Sequence, residues 1–151
     1  MKAVIQRAES ASVSVDGATV GSIGKGFLVL LGITAEDTER ECEKLAAKMI
    51  GLRIFADENG KTNRSLKDVD GELLIISQFT LCTDCRRGNR PDFLSAKEPR
   101  EANRLYEYFC ELCQKEIPRT KRGIFGADMR IELVNDGPFT IILECQNGVI
   151  V

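Results

Sequence analysis

Residues 77–85 read SQFTLCTDC, and two different folds hang on how they are taken. The second half is a C-x-x-C pair, Cys82 and Cys85, and another pair, Cys110 and Cys113, follows after residues 86–109. Four thiolates at that spacing are compatible with a small zinc-stapled module. The first half, Ser77-Gln78-Phe79-Thr80, sets hydroxyl and amide groups at the end of the apolar run ELLIISQFTL (72–81). That run reads as a strand of a domain with its own core.

The surroundings favour the domain. With 151 residues, 43% hydrophobic and 29% charged, the chain is long enough to bury a core without staples, and 1–151 is taken as one domain. Cys110 and Cys113 fall inside a predicted helix, and Cys113 lies on its apolar stripe, whereas zinc knuckles place cysteines in tight turns. Buried reduced cysteine behaves as a small hydrophobe. Cys42 fits the core stripe of an earlier helix, and Cys145 has no partner motif. Cys85 stands beside Arg86 and Arg87, which favours a lowered pKa, but it follows a strand rather than opening a helix. Zinc and thiol redox chemistry stay open as the weaker readings.

Working outward, VSVDGATV predicts a hairpin turning at Asp16-Gly17. GFLVLLGI (26–33) is a continuous apolar run of buried-strand length. Thr38 and Glu41 form a capping box, and Cys42, Leu45, Ala46, Met49 and Ile50 follow at helical spacing, with Gly51 as the stop. LRIF (52–55) predicts a return to strand, followed by a polar turn region. A second helix is predicted over Pro99–Ile117, with Ala102, Leu105, Tyr106, Phe109, Leu112 and Cys113 on one stripe and Pro118 beyond it. A basic, glycine-containing connection leads to strands MRIELV (129–134) and NDGPFTIILE (135–144), and to a last short strand after Asn147-Gly148. The pattern gives an α+β domain: two main helices and a mostly antiparallel, barrel-like sheet.

Twenty-one basic and twenty-three acidic side chains leave a net charge of −2, which argues against a whole-surface polyelectrolyte binder. Basic residues still cluster, as Arg86, Arg87 and Arg90 and then as Lys115, Arg119, Lys121 and Arg122. No run approaches a membrane span, and MKAVIQRAES lacks the apolar core of a signal peptide, so a cytoplasmic protein is expected. There is no histidine, which removes Ser-His-Asp and Cys-His schemes at once.

Taken alone, SQFT and Gly137-Pro138 are weak signals. Their order is not. VIQR (4–7), ASVSVDG, GFLVLLGI, LRIFADENGK, SQFTL, RPDF, FGADM (125–129) and NDGPFT run collinearly over nearly the whole chain. In these segments the sequence resembles the D-aminoacyl-tRNA (D-tyrosyl-tRNA) deacylases. The family signatures SQ-x-T and N-x-GP-x-T correspond to Ser77-Gln78-Phe79-Thr80 and Asn135-Asp136-Gly137-Pro138-Phe139-Thr140. The C-x-x-C pairs are not part of the family pattern.

The resemblance implies an enzyme that hydrolyses the ester between a D-amino acid and the terminal ribose of tRNA, without cofactor or metal. It implies a homodimer that meets the acceptor end of aminoacyl-tRNA, with neither DNA nor membrane as partner. Ser77, Gln78, Phe79 and Thr80 are then the catalytic segment. Gly137 and Pro138, joined by a cis peptide, enter the pocket of the partner subunit and reject L-amino acids. Arg7 braces that loop, Phe125, Ala127 and Met129 line the adenosine pocket, and Asn135 and Thr140 support it. Arginines of RRGNRP would meet tRNA phosphates. The competing class is a zinc-stabilised RNA-binding module without catalysis.

Overall fold

The computed structural model describes residues 1–86 and 88–151, so Arg87 of the basic cluster lies outside the described residues. The chain runs β1 (Lys2–Val15), β2 (Ala18–Ile23), β3 (Gly26–Gly32), α1 (Glu39–Ile50), β4 (Phe55–Ala56) and β5 (Thr62–Arg64). It continues through β6 (Glu72–Ser77), a 3-10 turn (Phe79–Cys82), α2 (Pro99–Glu116), β7 (Thr120–Arg122), β8 (Arg130–Gln146) and β9 (Val149–Ile150). The main sheet has the order β7-β6-β3-β1-β8-β9, with β2 also on β1. It curls into a half-barrel.

The sheet is mixed. β1 pairs antiparallel with β2, β3 and β8, whereas β3–β6 and β6–β7 are parallel. The parallel pairs arise because α1 lies between β3 and β6, and α2 between β6 and β7; such crossovers return the chain in the same direction. Four further expectations change. LRIF is not a strand, since only Phe55–Ala56 pairs, with β5. The strand from Glu72 stops at Ser77 and gives way to the 3-10 turn. The basic connection contains β7, which pairs with Leu73–Ile75. MRIELV and NDGPFTIILE form one strand, β8, interrupted by a bulge.

Both sheet faces are packed. Phe27, Val29 and Leu31 point to the helices, where Leu45, Met49, Leu105, Tyr106 and Phe109 are buried with them. Leu28 of β3 points the other way, into a smaller core with Ala8, Val13, Leu74 and Ile76. Alternation along a strand buried on both faces explains why GFLVLLGI reads as continuously apolar. In α1 the capping box forms: Thr38 Oγ1 accepts from Arg40 N at 3.3 Å and Glu41 accepts from Thr38 N at 2.8 Å. The buried stripe of α2 takes Cys110, with Leu112 only half-buried. Tyr106 crosses the core to donate from its hydroxyl to Ile75 O at 2.8 Å, tying α2 to the strand that carries SQFT.

Candidate active site

At its end β6 leaves the sheet beside Gly32. Ser77 is still in register with Leu31 of β3, and Gln78 N donates to Leu31 O at 2.7 Å. The chain then tightens into the 3-10 turn, with Leu81 N to Gln78 O at 3.2 Å and Thr83 N to Thr80 O at 3.2 Å. Gly32 makes this possible. A Cβ there would stand 2.7 Å from Leu81 Cβ, so the turn can lie on β3 only over a bare Cα. The amides of Phe79 and Thr80 open the turn, ahead of its first internal bond, and so are left without an acceptor inside it. Gln78 Nε2 donates to Thr80 Oγ1 at 2.5 Å, which orients the Thr80 hydroxyl. Phe79 and Thr80 are exposed.

This turn forms one wall of a cleft of about 750 Å³. Ser77, Gln78, Phe79, Phe125, Ala127 and Met129 line it together; Thr80 sits on the same turn at the edge. Leu31, Ile76 and Ile131 form an apolar floor, and Phe93, Leu94, Lys97, Glu98 and Ala102 close the far side. RPDF is one of the collinear segments, yet no role for these far-side residues follows from it. Nothing in a local pattern announces them, because a loop and the first turn of α2 bring them there. Glu98 caps α2 by accepting from Arg100 N and Glu101 N, and these bonds hold its carboxyl below the usual range.

Asn135, Gly137, Pro138, Thr140 and Arg7 do not line this cleft but gather in a second cluster. In the β1–β8 ladder Gln6 faces Thr140 and Ala8 faces Asn135, so Asp136-Gly137-Pro138-Phe139 bulges out opposite Arg7. The Gly137–Pro138 peptide is cis, and both residues are exposed. Asn135 pins the base of the bulge: Oδ1 accepts from Phe139 N at 2.7 Å, and Nδ2 donates to Gln6 Oε1 at 2.6 Å. Thr140 Oγ1 donates to the same Gln6 oxygen at 2.6 Å. Gln6 was missed, although its outward position beside Arg7 on an alternating strand was a usable signal. Arg7 donates to Asp136 O at 2.9 Å and to Ile54 O at 2.5 Å, and its guanidinium lies 4.5 Å from the Phe139 ring centre.

The C-x-x-C pairs do not build a centre. Cys42, Cys82, Cys110, Cys113 and Cys145 are buried and Cys85 is exposed. Among the described residues no group of three or more His, Cys, Asp or Glu side chains could hold a metal ion. Burial pushes the Cys42 and Cys110 thiols up to about 12, and Cys113 also well up. These groups pack as hydrophobes.

Known proteins resemble this chain over nearly its whole length. The family model of D-Tyr-tRNA(Tyr) deacylase matches residues 4–144. The D-aminoacyl-tRNA deacylase of Clostridium novyi (strain NT) is 54% identical over 146 residues, 97% of this chain and 98% of the relative. That of Geobacter sulfurreducens is 53% identical over 147 residues, 97% of each. A solved structure described as c-Myc DNA Unwinding Element Binding Protein superposes with a TM-score of 0.92 at 44% identity, covering 97% of this chain and 99% of the other. A probable eukaryotic D-amino acid tRNA deacylase gives a TM-score of 0.84 at 15% identity over 93% of this chain and 97% of its own, a likeness of fold alone. With a family model spanning nearly the whole chain and relatives of that identity, this chain belongs to the D-Tyr-tRNA(Tyr) deacylase family.

Proposed function

We propose that the cleft hydrolyses the ester joining a D-amino acid to the terminal ribose of tRNA, releasing free amino acid and tRNA. The observation that supports it most is the placing of the two signatures. Ser77–Thr80 opens an anion-ready turn onto an apolar cleft, while Gly137-Pro138 is braced and exposed outside its own chain's cleft. A loop so positioned fits the cleft of a second copy, and the active form is a homodimer. The outer face of the β1–β8 ladder, where Val4 faces Ile142, leaves Ile142 70% exposed and supplies apolar surface for that contact.

Enantiomers carry the same groups, so added attraction separates them poorly; a wall where the L side chain must go excludes it by contact. Backbone suits this task, since it has no rotamers to yield. Glycine has no side chain to clash, and glycine mischarged on alanine tRNA is a second substrate.

Chemistry proceeds without histidine. Aminoacyl esters are labile, and the hydroxyl beside the ester on the terminal ribose assists the attacking water. The Phe79 and Thr80 amides stabilise the oxyanion, each worth about 3 kcal/mol when well placed. Ser77, Gln78 and Thr80 position the ester. The test is a paired deacylation assay on D-Tyr-tRNA and L-Tyr-tRNA, each with and without a strong zinc chelator. Loss of the D ester alone, unaffected by chelator, is expected; absence of chiral preference, or activity that vanishes with chelator, overturns the reading.

A further inference from the structure

Beside the main cleft lies a second, open groove of about 560 Å³, lined by Asp84, Arg90, Pro91, Asp92, Phe93 and Leu94. The two share Phe93 and Leu94, so the loop that walls one forms the floor of the other. The groove is of small-molecule size, given a typical range of roughly 300–1,000 Å³. We infer that it seats the nucleotide preceding the terminal adenosine of the tRNA substrate, a cytidine whose base lies on Phe93 and Leu94 and whose phosphate meets Arg90. The inference rests on the deacylase reading proposed above and specifies how that substrate's single strand continues out of the cleft.

Three observations carry it. The first is an apolar platform held open to solvent. Leu94 is 89% exposed and Phe93 37%, and the Phe93 ring meets the Phe79 ring edge-on at 5.1 Å, which makes the platform continuous with the SQFT turn. Bases of unpaired RNA are recognised by stacking on such side chains.

The second is anchoring. The loop is closed at its neck by paired bonds between Asp84 and Asp92, 2.8 and 3.0 Å. Ser95 Oγ donates to Cys82 O, Ala35 N to Ser95 O at 2.9 Å, and Lys97 N to Ile33 O at 3.0 Å. An anchored platform loses little freedom when a base settles on it.

The third is charge. Of the two acidic groups of the groove, Asp84 is paired with an arginine, and Asp92, which keeps its charge, is held by a backbone N–H of its own loop. Both oxygens of Asp84 accept from Arg86, which holds that carboxyl down at about 2, and Asp92 Oδ1 accepts from Leu94 N at 2.7 Å. Arg90 forms no ion pair with a carboxylate among the described residues, and it is exposed at the groove wall. A guanidinium without a carboxylate partner, beside an apolar shelf, complements a nucleotide, which offers one phosphate and one π-face.

The experiment compares adenosine with the dinucleotide cytidylyl-(3′→5′)-adenosine as inhibitors of D-Tyr-tRNA deacylation, in the wild type and in Arg90→Ala. The wild type should bind the dinucleotide about tenfold more tightly than the nucleoside, the scale of one stacked base. Arg90→Ala should lose most of that preference while its inhibition by adenosine is unchanged. Leu94→Ser, at a site too exposed to unfold the domain, should reduce the preference as well. Equal inhibition by the two ligands in the wild type, or inhibition by neither, overturns the subsite and leaves the deacylase reading standing. If the wild type does not hydrolyse D-Tyr-tRNA at all, the deacylase reading itself falls, and the subsite with it.

Discussion

Arg7 and Asp136 meet twice: the guanidinium Nε donates to the Asp136 carbonyl at 2.9 Å and stands 3.1 Å from its Oδ2 carboxylate oxygen. Arg7 also reaches Ile54 O and covers the Phe139 ring, so one side chain, 14% exposed, holds both flanks of the Gly137-Pro138 bulge. A planar fork is needed for that combination, and lysine lacks it. Arg7→Lys should lower kcat/KM on D-Tyr-tRNA and, more tellingly, narrow the gap between D and L esters, with stability falling by about 1–3 kcal/mol. Stopped assays on both esters, alongside urea unfolding, check this. A stability loss with the D/L ratio unchanged would show that Arg7 supports the fold without setting the loop.

Gly32 bears on the other signature. Its missing Cβ leaves room for Leu81, with Gln78 O next nearest at 3.2 Å from where the methyl would go. Gly32→Ala therefore pushes on the backbone of the SQFT turn from below. Overpacking of this kind costs about 1–3 kcal/mol. The displaced Phe79 and Thr80 amides should reduce kcat by at least about tenfold with little change in KM, since an oxyanion donor acts in the transition state. Denaturant melts and steady-state kinetics on the same variant separate the two effects.

The two helices and their stripes were legible because period, caps and stops agree: Thr38 with Glu41 at one end, Pro99 and Pro118 around the other. The Asp16-Gly17 hairpin was legible for the same reason. The shape of SQFT was misread, because apolar continuity through Phe79 and Leu81 imitates strand. What makes room for the turn after β6 is Gly32 on a different strand, which is invisible locally. β7 was hidden by its polar composition, TKR, at the sheet edge. The bulge at 136–139 divides β8 into two apparent strands, since pairing on either side depends on β1 and not on local propensity. The far wall of the cleft was the least legible part of the site, as Phe93 to Ala102 come together only through the bonds of their loop to β3 and its continuation.

The buried thiols give a prediction that separates core cysteines from a redox or metal pair. In native protein iodoacetamide should modify Cys85 alone, while all six cysteines react after unfolding, as peptide mass mapping would count. Burial raises Cys42 and Cys110 from an ordinary value of 9.0 to about 12, so the unfolded state loses these protons first as pH rises. The stabilisation is complete below about pH 9 and is lost as pH climbs toward the folded values, by of the order of 1 kcal/mol per pH unit for each thiol. Unfolding midpoints that hold steady from neutrality and then fall above about pH 9 are expected. Fast native labelling of Cys110 or Cys113 would contradict the packing described here.

Thr80 decides between two ways of running the reaction. Its hydroxyl accepts from Gln78 Nε2 and lies on the exposed end of the turn, and the chain contains no histidine to take its proton. A threonine nucleophile without an adjacent base is poorly activated. A positioning hydroxyl asks less of its surroundings, because the backbone amides beside it remain when the side chain is cut back. Thr80→Ala should therefore retain deacylation within about tenfold to a hundredfold of the wild type, compared with losses near a millionfold when a true nucleophile is removed. Thr80→Ser should be close to normal under either scheme and serves as the folding control. Single-turnover assays at saturating enzyme read the chemical step directly. An alanine variant that binds a non-hydrolysable D-aminoacyl analogue normally but shows no turnover would make Thr80 the nucleophile, and the substrate's own ribose hydroxyl would lose its role.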